Sequence, residues 1–327
     1  MLNQIFIYLV FLPFLVQNPN NLTPEERAKL EAQNNELRAM IQTAQKLEQD
    51  RAPIKMQAPH STELVTGVVS WVASDRNGLI YLLQRGDKID PVVVLNRDGK
   101  VLHSWGKGMY MTPHAIRIDS RGNVWTADAA SSMIYKFSPD GKELLRIEVG
   151  GQPEPKCAAG GFCSTTDIAF APNGNLFIAD GYRNARILEY TPDGKKVREW
   201  GTAGTGSGQF RLPHSIQVDE NGIVYVADRE NGRIQRFDLQ GKYLGEWSKY
   251  GKTFGLKLDK EAIWLSSIPR GPNGVPGWLI KLDRRNGNLL GYVDSTANHG
   301  MDVFTNGDVI SASPGRGEIP QIYRLKR

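Results

Sequence analysis

From Gly67 onward, apolar and polar residues alternate in short runs, each closed by a polar turn that carries glycine. Period-two alternation of this kind predicts β-strands with one face buried. The runs are grouped. PHAIRIDSRGNVWTADAASSMIYKFSPDGKELLRI from Pro113, TDIAFAPNGNLFIADGYRNARILEYTPDGKKVREWG from Thr166 and PHSIQVDENGIVYVADRENGRIQRFDLQGKYLGEWS from Pro213 share one plan. An alternating strand runs into a turn ending in glycine. A second strand ends in Ala-Asp, a third leads to a DG or QG turn, and a fourth closes the unit. Four short antiparallel strands in a unit of about 40–50 residues predict one propeller blade. Weaker copies begin at Gly67, Phe254 and His299. The pattern therefore predicts an all-β, six-bladed β-propeller over residues 63–327. The last copy stops near its third strand, and residues Glu63 to Thr66 are predicted to supply the missing one and close the ring.

The pattern changes upstream. LTPEERAKLEAQNNELRAMIQTAQKLEQD carries Leu30, Leu37 and Ala44, with Met40 and Leu47, at heptad spacing. Thr23 and Glu26 form a capping box and Pro24 fits the first helical position. Residues 22–50 thus predict an amphipathic helix of about 26 residues that spaces or packs on the propeller, and residues 51–62 predict a linker. The first residues, MLNQIFIYLVFLPFLVQ, form an apolar run of about 16, short for a spanning helix and typical of a signal h-region. The run lacks a basic n-region and a small-x-small cleavage site. Residues 1–18 read as a signal peptide or an uncleaved membrane anchor, either of which implies export; a misassigned start and a buried strand are the alternatives.

Composition adds little to this and excludes some things. The 34 glycines suit many tight turns. A net charge of +5, from 40 basic and 35 acidic residues, is mild and scattered. No lysine/arginine block with interleaved aromatics appears, so nucleic-acid binding is not expected. The two cysteines, Cys157 and Cys163, permit a small loop-closing disulfide in an exported protein; two free loop thiols are the alternative.

The candidate chemistry lies in the five histidines. Three of them, His114, His214 and His299, fall at one repeat position, the start of the innermost strand of blades two, four and six. The same position is read as Asp167 in blade three and Gly255 in blade five. Alternate blades of a six-fold ring lie about 120° apart, so three inward imidazoles converge as a tripod. Three histidines with positions left open for water or substrate are the ligand set of a catalytic zinc site. The first strand of a blade starts, and the second ends, on the same face. Arg85 and Arg229 follow second strands directly and Tyr182 follows one residue further on, which puts all three on the histidine face. Arginines there suit a carboxylate substrate, and a tyrosine near a metal and two cations is expected to have a lowered pKa and serve as base.

The repeat resembles the NHL repeat. FCSTTDIAFAPNGNLFIADGYRNARILEY and GQFRLPHSIQVDENGIVYVADRENGRIQRF resemble the lyase half of peptidylglycine α-amidating monooxygenase, the peptidyl-α-hydroxyglycine α-amidating lyases, from about Val65 to Ile310. The resemblance implies zinc on His114, His214 and His299, a catalytic Tyr182 and substrate-side Arg85 and Arg229. It implies cleavage of a C-terminal α-hydroxyglycine N–C bond to an amide and glyoxylate. The chain departs from the family in several places. Arg183 stands where the family has a cysteine that bonds the one matching Cys163, which is left to pair with Cys157 or stay free. A second family disulfide is absent. His299 stands in Ala-Asn-His-Gly rather than Met-Pro-His-Asp, and the missing aspartate helps bind a structural calcium in the family. Residues 1–62 are too few for a copper monooxygenase domain, so the expected substrate, a peptide or small molecule ending in α-hydroxyglycine, either comes from another enzyme or is something other than a hormone-like peptide. A monomer is expected. The competing expectations are a non-catalytic exported NHL propeller that binds a protein or glycan, and a lactonase-like enzyme, whose acidic calcium-type site three histidines fit poorly.

Overall fold

In a computed structural model of the chain, the alternating segments form six four-stranded antiparallel sheets and one short parallel pair, Thr202–Ala203 with Gln209–Phe210. The structure describes residues 23–54, 56, 67–150, 157–269, 277–296, 299–312 and 320–326. The innermost strands of blades one to six are Val69–Ser74, Pro113–Ile118, Thr165–Phe170, Pro213–Val218, Lys252–Asp259 and Met301–Val303.

Burial is deepest in the second strands and falls toward the rim. The second strands of blades two to four, Val124–Asp128, Leu176–Asp180 and Val224–Asp228, are buried at every residue. Sheets stack on both their faces, which is why these strands read as nearly continuous apolar runs. The outer strand Lys196–Trp200 is exposed at four of its five residues. Neighbouring blades lock through a repeated contact. The glycines Gly141, Gly241 and Gly287, all at positive φ, sit in turns where a Cβ would come within 2.7, 2.7 and 2.6 Å of the indoles of Trp105, Trp200 and Trp247 on the preceding blade's outer strand. Only glycine satisfies both the left-handed turn and the ring packed on it.

The ring closes with an N-terminal strand, but not the predicted one. Gln49–Pro53 pairs antiparallel with Gln321–Leu325 and is the outer strand of blade six. The segment predicted as a helix end and a linker is therefore part of the propeller, while Glu63 to Thr66 lie outside the described residues. The helix is correspondingly shorter. It runs Pro24–Thr43, with the Arg27 N–H donating to the Thr23 carbonyl at 2.9 Å, and it stops where the backbone is captured by blade five. There the Leu47 N–H donates to Tyr292 O at 2.9 Å and the Tyr292 N–H to Gln45 O at 3.1 Å. The helix packs on the propeller through buried Leu37 and Ile41, which join a cluster with Trp247, Tyr250 and Trp278, and Glu36 pairs with Lys249 at 2.6 Å. Among the described residues no helix is long and apolar enough to cross a membrane; residues 1–18 lie outside them.

Candidate metal centre and its rim

The inner strands carry a shared irregularity that decides where side chains point. In blades one to five the register against the second strand slips by one residue near the start, between Val69 and Trp71, Pro113 and Ala115, Thr165 and Asp167, Pro213 and Ser215, and Thr253 and Gly255. The residues in the bulges are Ser70, His114, Thr166, His214 and Phe254. His299 takes the same place in blade six, its N–H donating to Ala312 O at 3.0 Å just before the strand begins. The histidines thus do alternate around the ring, but their counterparts in blades three and five are Thr166 and Phe254, not Asp167 and Gly255. Because these blades slip at the same place, the residue inside the bulge is the equivalent one, and Asp167 and Gly255 lie one residue further on, on the other face.

This register builds the site. Each histidine's Nδ1 donates to the bulge carbonyl of the next blade: His114 to Thr166 O at 2.6 Å, His214 to Phe254 O at 2.7 Å and His299 to Ser70 O at 2.6 Å. A carbonyl only accepts, so each Nδ1 carries the hydrogen and each Nε2 presents a lone pair, as acceptor or ligand. The five bulges and the equivalent place at His299 therefore alternate between a ligand and the carbonyl that orients the ligand before it, the arrangement typical of metal-bound histidine. The ring centroids lie 5.0, 5.1 and 5.0 Å apart, and the candidate ligand atoms all lie within 4.8 Å of one another. This is the one group of three or more His, Cys, Asp or Glu among the described residues that could hold a metal. All three histidines are buried. Burial pushes His114 and His214 well below the usual imidazole range, helped by neighbouring imidazoles and by Arg85 and Arg229, and pushes His299 down to about 3. Three neutral, pre-aimed imidazoles fit a borderline cation.

The structure brings Tyr182, Arg85 and Arg229 to this centre. The Tyr182 hydroxyl lies 2.7 Å from His114 Nε2 and 3.3 Å from His214 Nε2. Burial raises its pKa, with Arg229 and Arg85 opposing; the lowered pKa expected from the sequence is that of a tyrosine beside a bound metal as well as two cations. Two guanidiniums by themselves do not outweigh the burial of the phenol. The arginines are held alike. The Arg85 guanidinium lies 4.9 Å from the Phe162 ring and that of Arg229 lies 4.7 Å from Phe254. Arg85 Nε donates to Pro113 O at 2.9 Å, while Nη2 is buried without a hydrogen-bond partner. Arg229 Nε pairs with Glu230 at 2.9 Å, and Glu230 also pairs with Lys252 at 2.7 Å.

Trp71 is absent from the sequence expectations. Its fully buried indole closes the channel beneath the tripod, with centroids 5.9, 6.3 and 5.6 Å from His114, His214 and His299. Below it lies the Arg117 guanidinium at 4.9 Å, bound to Asp167 at 2.9 and 2.6 Å and to Ser215 at 3.2 Å. The signal was in the register. The residues after the bulges are Trp71, Ala115, Asp167, Ser215 and Gly255, with Gly300 after His299, so one large side chain faces five small ones across the axis. Gly300 is part of this fit, since a Cβ there would come within 2.5 Å of both Trp71 Cα and the indole. An aspartate after the third histidine has no room while Trp71 fills the channel. Cys157 and Cys163 are bonded to each other, their Cα atoms 5.8 Å apart.

The NHL repeat matches residues 210–237, the second and third strands of blade four and the loop and strand before them. A probable peptidyl-alpha-hydroxyglycine alpha-amidating lyase of Caenorhabditis elegans is 31% identical over 295 residues, 80% of this chain and 83% of the relative. The peptidylglycine alpha-amidating monooxygenase of Rattus norvegicus is 35% identical over 208 residues, 55% of this chain but 21% of the rat protein's length. Among solved structures a streptogramin B lyase has a TM-score of 0.59 at 16% identity, covering 85% of this chain and 98% of that one, a likeness of fold alone. With one relative matched across most of both chains, this protein belongs to the peptidyl-alpha-hydroxyglycine alpha-amidating lyase family.

Proposed function

We propose that the chain is a zinc-dependent lyase that cleaves the N–C bond of a C-terminal α-hydroxyglycine, in a peptide or an N-acyl compound, to give an amide and glyoxylate. The observation that carries this is the junction of three converging histidine Nε2 atoms with the Tyr182 hydroxyl, between two arginines. His114, His214 and His299 are the residues that would hold zinc. When bound, zinc supplies Lewis acidity to the substrate's carbinol oxygen and its charge favours ionised partners nearby. Arg85 brings a buried, unpartnered N–H to the site, a cost that an anionic group relieves. Together with Arg229 it grips the substrate carboxylate and fixes the carbinol against Tyr182.

Tyr182, in its phenolate form, takes the carbinol proton. The electron pair of that O–H bond becomes the new C=O bond, the C–N bond breaks, and a proton returns to the departing amide nitrogen. Atoms balance without an added reactant. Glu230, itself paired with Lys252, holds Arg229 by its Nε, which leaves the terminal nitrogens to serve Tyr182 and the substrate. The Cys157–Cys163 disulfide suits an exported protein, and we read the chain as exported and monomeric. The test is metal analysis of the purified protein beside a His114→Ala/His214→Ala pair, with α-hydroxyhippurate as substrate. The expected result is about one zinc per wild-type chain, lost in the double variant, with glyoxylate formed only by the wild type. Unchanged metal content would reject the centre and favour a non-catalytic binding propeller. Metal without glyoxylate would retain the centre and reject the lyase chemistry.

A further inference from the structure

Seven large apolar side chains are exposed among the described residues, and their placement is not random. Five of them, Leu102, Leu144, Val197, Leu244 and Leu290, occupy the second position of the outer strands of blades one to five. There they are scattered singly around the rim, as surface apolar residues usually are. The other two, Met111 and Phe162, at 40% and 38% exposure, lie on the histidine face in two loops that touch. The Gly160 N–H donates to Thr112 Oγ1 at 2.9 Å and lies 3.3 Å from Met111 O.

Phe162 is built into the centre as well as exposed. Its ring centroid is 4.9 Å from that of Tyr182 and 6.2 Å from that of His114, and the Arg85 guanidinium lies 4.9 Å from it. It is also clamped. Cys163, the next residue, is bonded to Cys157 and its N–H donates to Ala129 O at 2.9 Å. A half-exposed aromatic ring held this firmly at the edge of a buried polar centre is a preformed apolar seat.

We infer that Phe162, with Met111 beside it, is a specificity-determining residue that receives an apolar group on the acyl side of the scissile N–C bond. The inference rests on the lyase reading above. In that reading the carboxylate and the carbinol are taken by buried groups. The acyl or peptide portion must then leave the channel past the exposed rim, where Phe162 is the exposed aromatic ring packed on Tyr182; Phe254, closer to His214 and His299, is less exposed and lies under Arg229. The substrates favoured are therefore α-hydroxyglycines preceded by an aromatic or large aliphatic residue or acyl group.

The experiment compares N-benzoyl- with N-acetyl-α-hydroxyglycine on the zinc-loaded full chain, using wild type, Phe162→Ala and Phe162→Leu, with glyoxylate as readout. The wild type is expected to favour the benzoyl substrate about tenfold in kcat/KM, as pocket discrimination between apolar groups commonly does. Phe162→Ala is expected to bring the ratio below about threefold, mainly through KM of the benzoyl substrate, with Phe162→Leu between the two. The Cys157→Ser/Cys163→Ser pair is expected to lower the ratio in the same direction. No preference in the wild type, or an equal loss on both substrates in Phe162→Ala, overturns the inference; equal loss would mean that Phe162 only props Arg85 and Tyr182. Calorimetric binding of the unreactive N-benzoylglycine and N-acetylglycine provides a second readout. If the wild type forms no glyoxylate from either substrate, the lyase reading fails, and the binding ratio still decides whether Phe162 selects apolar groups.

Discussion

Acidifying the metal-free protein tests the tripod without assuming any chemistry. Each imidazole is buried and neutral, with its pKa pushed down by desolvation first and by nearby cations second. A group whose folded pKa is depressed leaves the folded state fully stable above its unfolded pKa, near 6.5 for histidine, and withdraws stability as pH falls from there toward the folded value. For His299 the folded value is about 3. Between pH 7 and pH 5 the unfolded chain takes up a proton on this residue that the folded protein refuses, a difference of about 2 kcal/mol. His114 and His214 act in the same direction. The assay is urea denaturation of EDTA-stripped protein at pH 7 and pH 5, with His299→Asn measured in parallel to cancel every other titrating group. Wild type is expected to lose about 2 kcal/mol more than the variant over this interval, a visible part of a typical domain's stability. Equal losses in the two proteins would refute the buried, neutral His299 on which the metal site depends.

Three further outcomes follow from the same geometry. Trp71→Ala empties the channel beneath the histidines and is expected to cost about 3–5 kcal/mol, with Trp71→Phe costing less; thermal denaturation checks the order, and an exposed-like, near-zero effect would contradict its place in the channel. Gly300→Ala places a Cβ within 2.5 Å of Trp71 Cα and is expected to cost about 1–3 kcal/mol and weaken metal binding at neighbouring His299. Gly150→Ala, with nothing within 4 Å of its Cβ and no positive φ, is the matched control expected to be near neutral. Tyr182→Phe is expected to keep the metal while lowering kcat by about 10²–10⁴; retention of kcat would remove Tyr182 from proton transfer.

Much of this arrangement is legible locally. Period-two runs, glycine turns and the repeated Ala-Asp endings identify strands and group them into blades, because side-chain alternation and turn chemistry depend on a few neighbouring residues. The coincidence of His114, His214 and His299 at one repeat position, and of Arg85, Tyr182 and Arg229 at second-strand ends, follows from the same repetition. The helix start at Thr23 and Pro24 is equally local. The helix end is not, because Gln45 and Leu47 give their backbone groups to Tyr292, a partner remote in sequence.

What the amino-acid order by itself determined is the inventory: six blades, three alternating histidines and the polar residues on their face. Only the closed ring decided how these parts act. It placed Gln49–Pro53 as the last outer strand, and it set the bulge register that makes Thr166, Phe254 and Ser70 carbonyls fix the three imidazoles. It also left one axial space, which Trp71 fills and Gly300 yields to. Each of these is a contact between blades, set by distances across the axis rather than by any local run of residues.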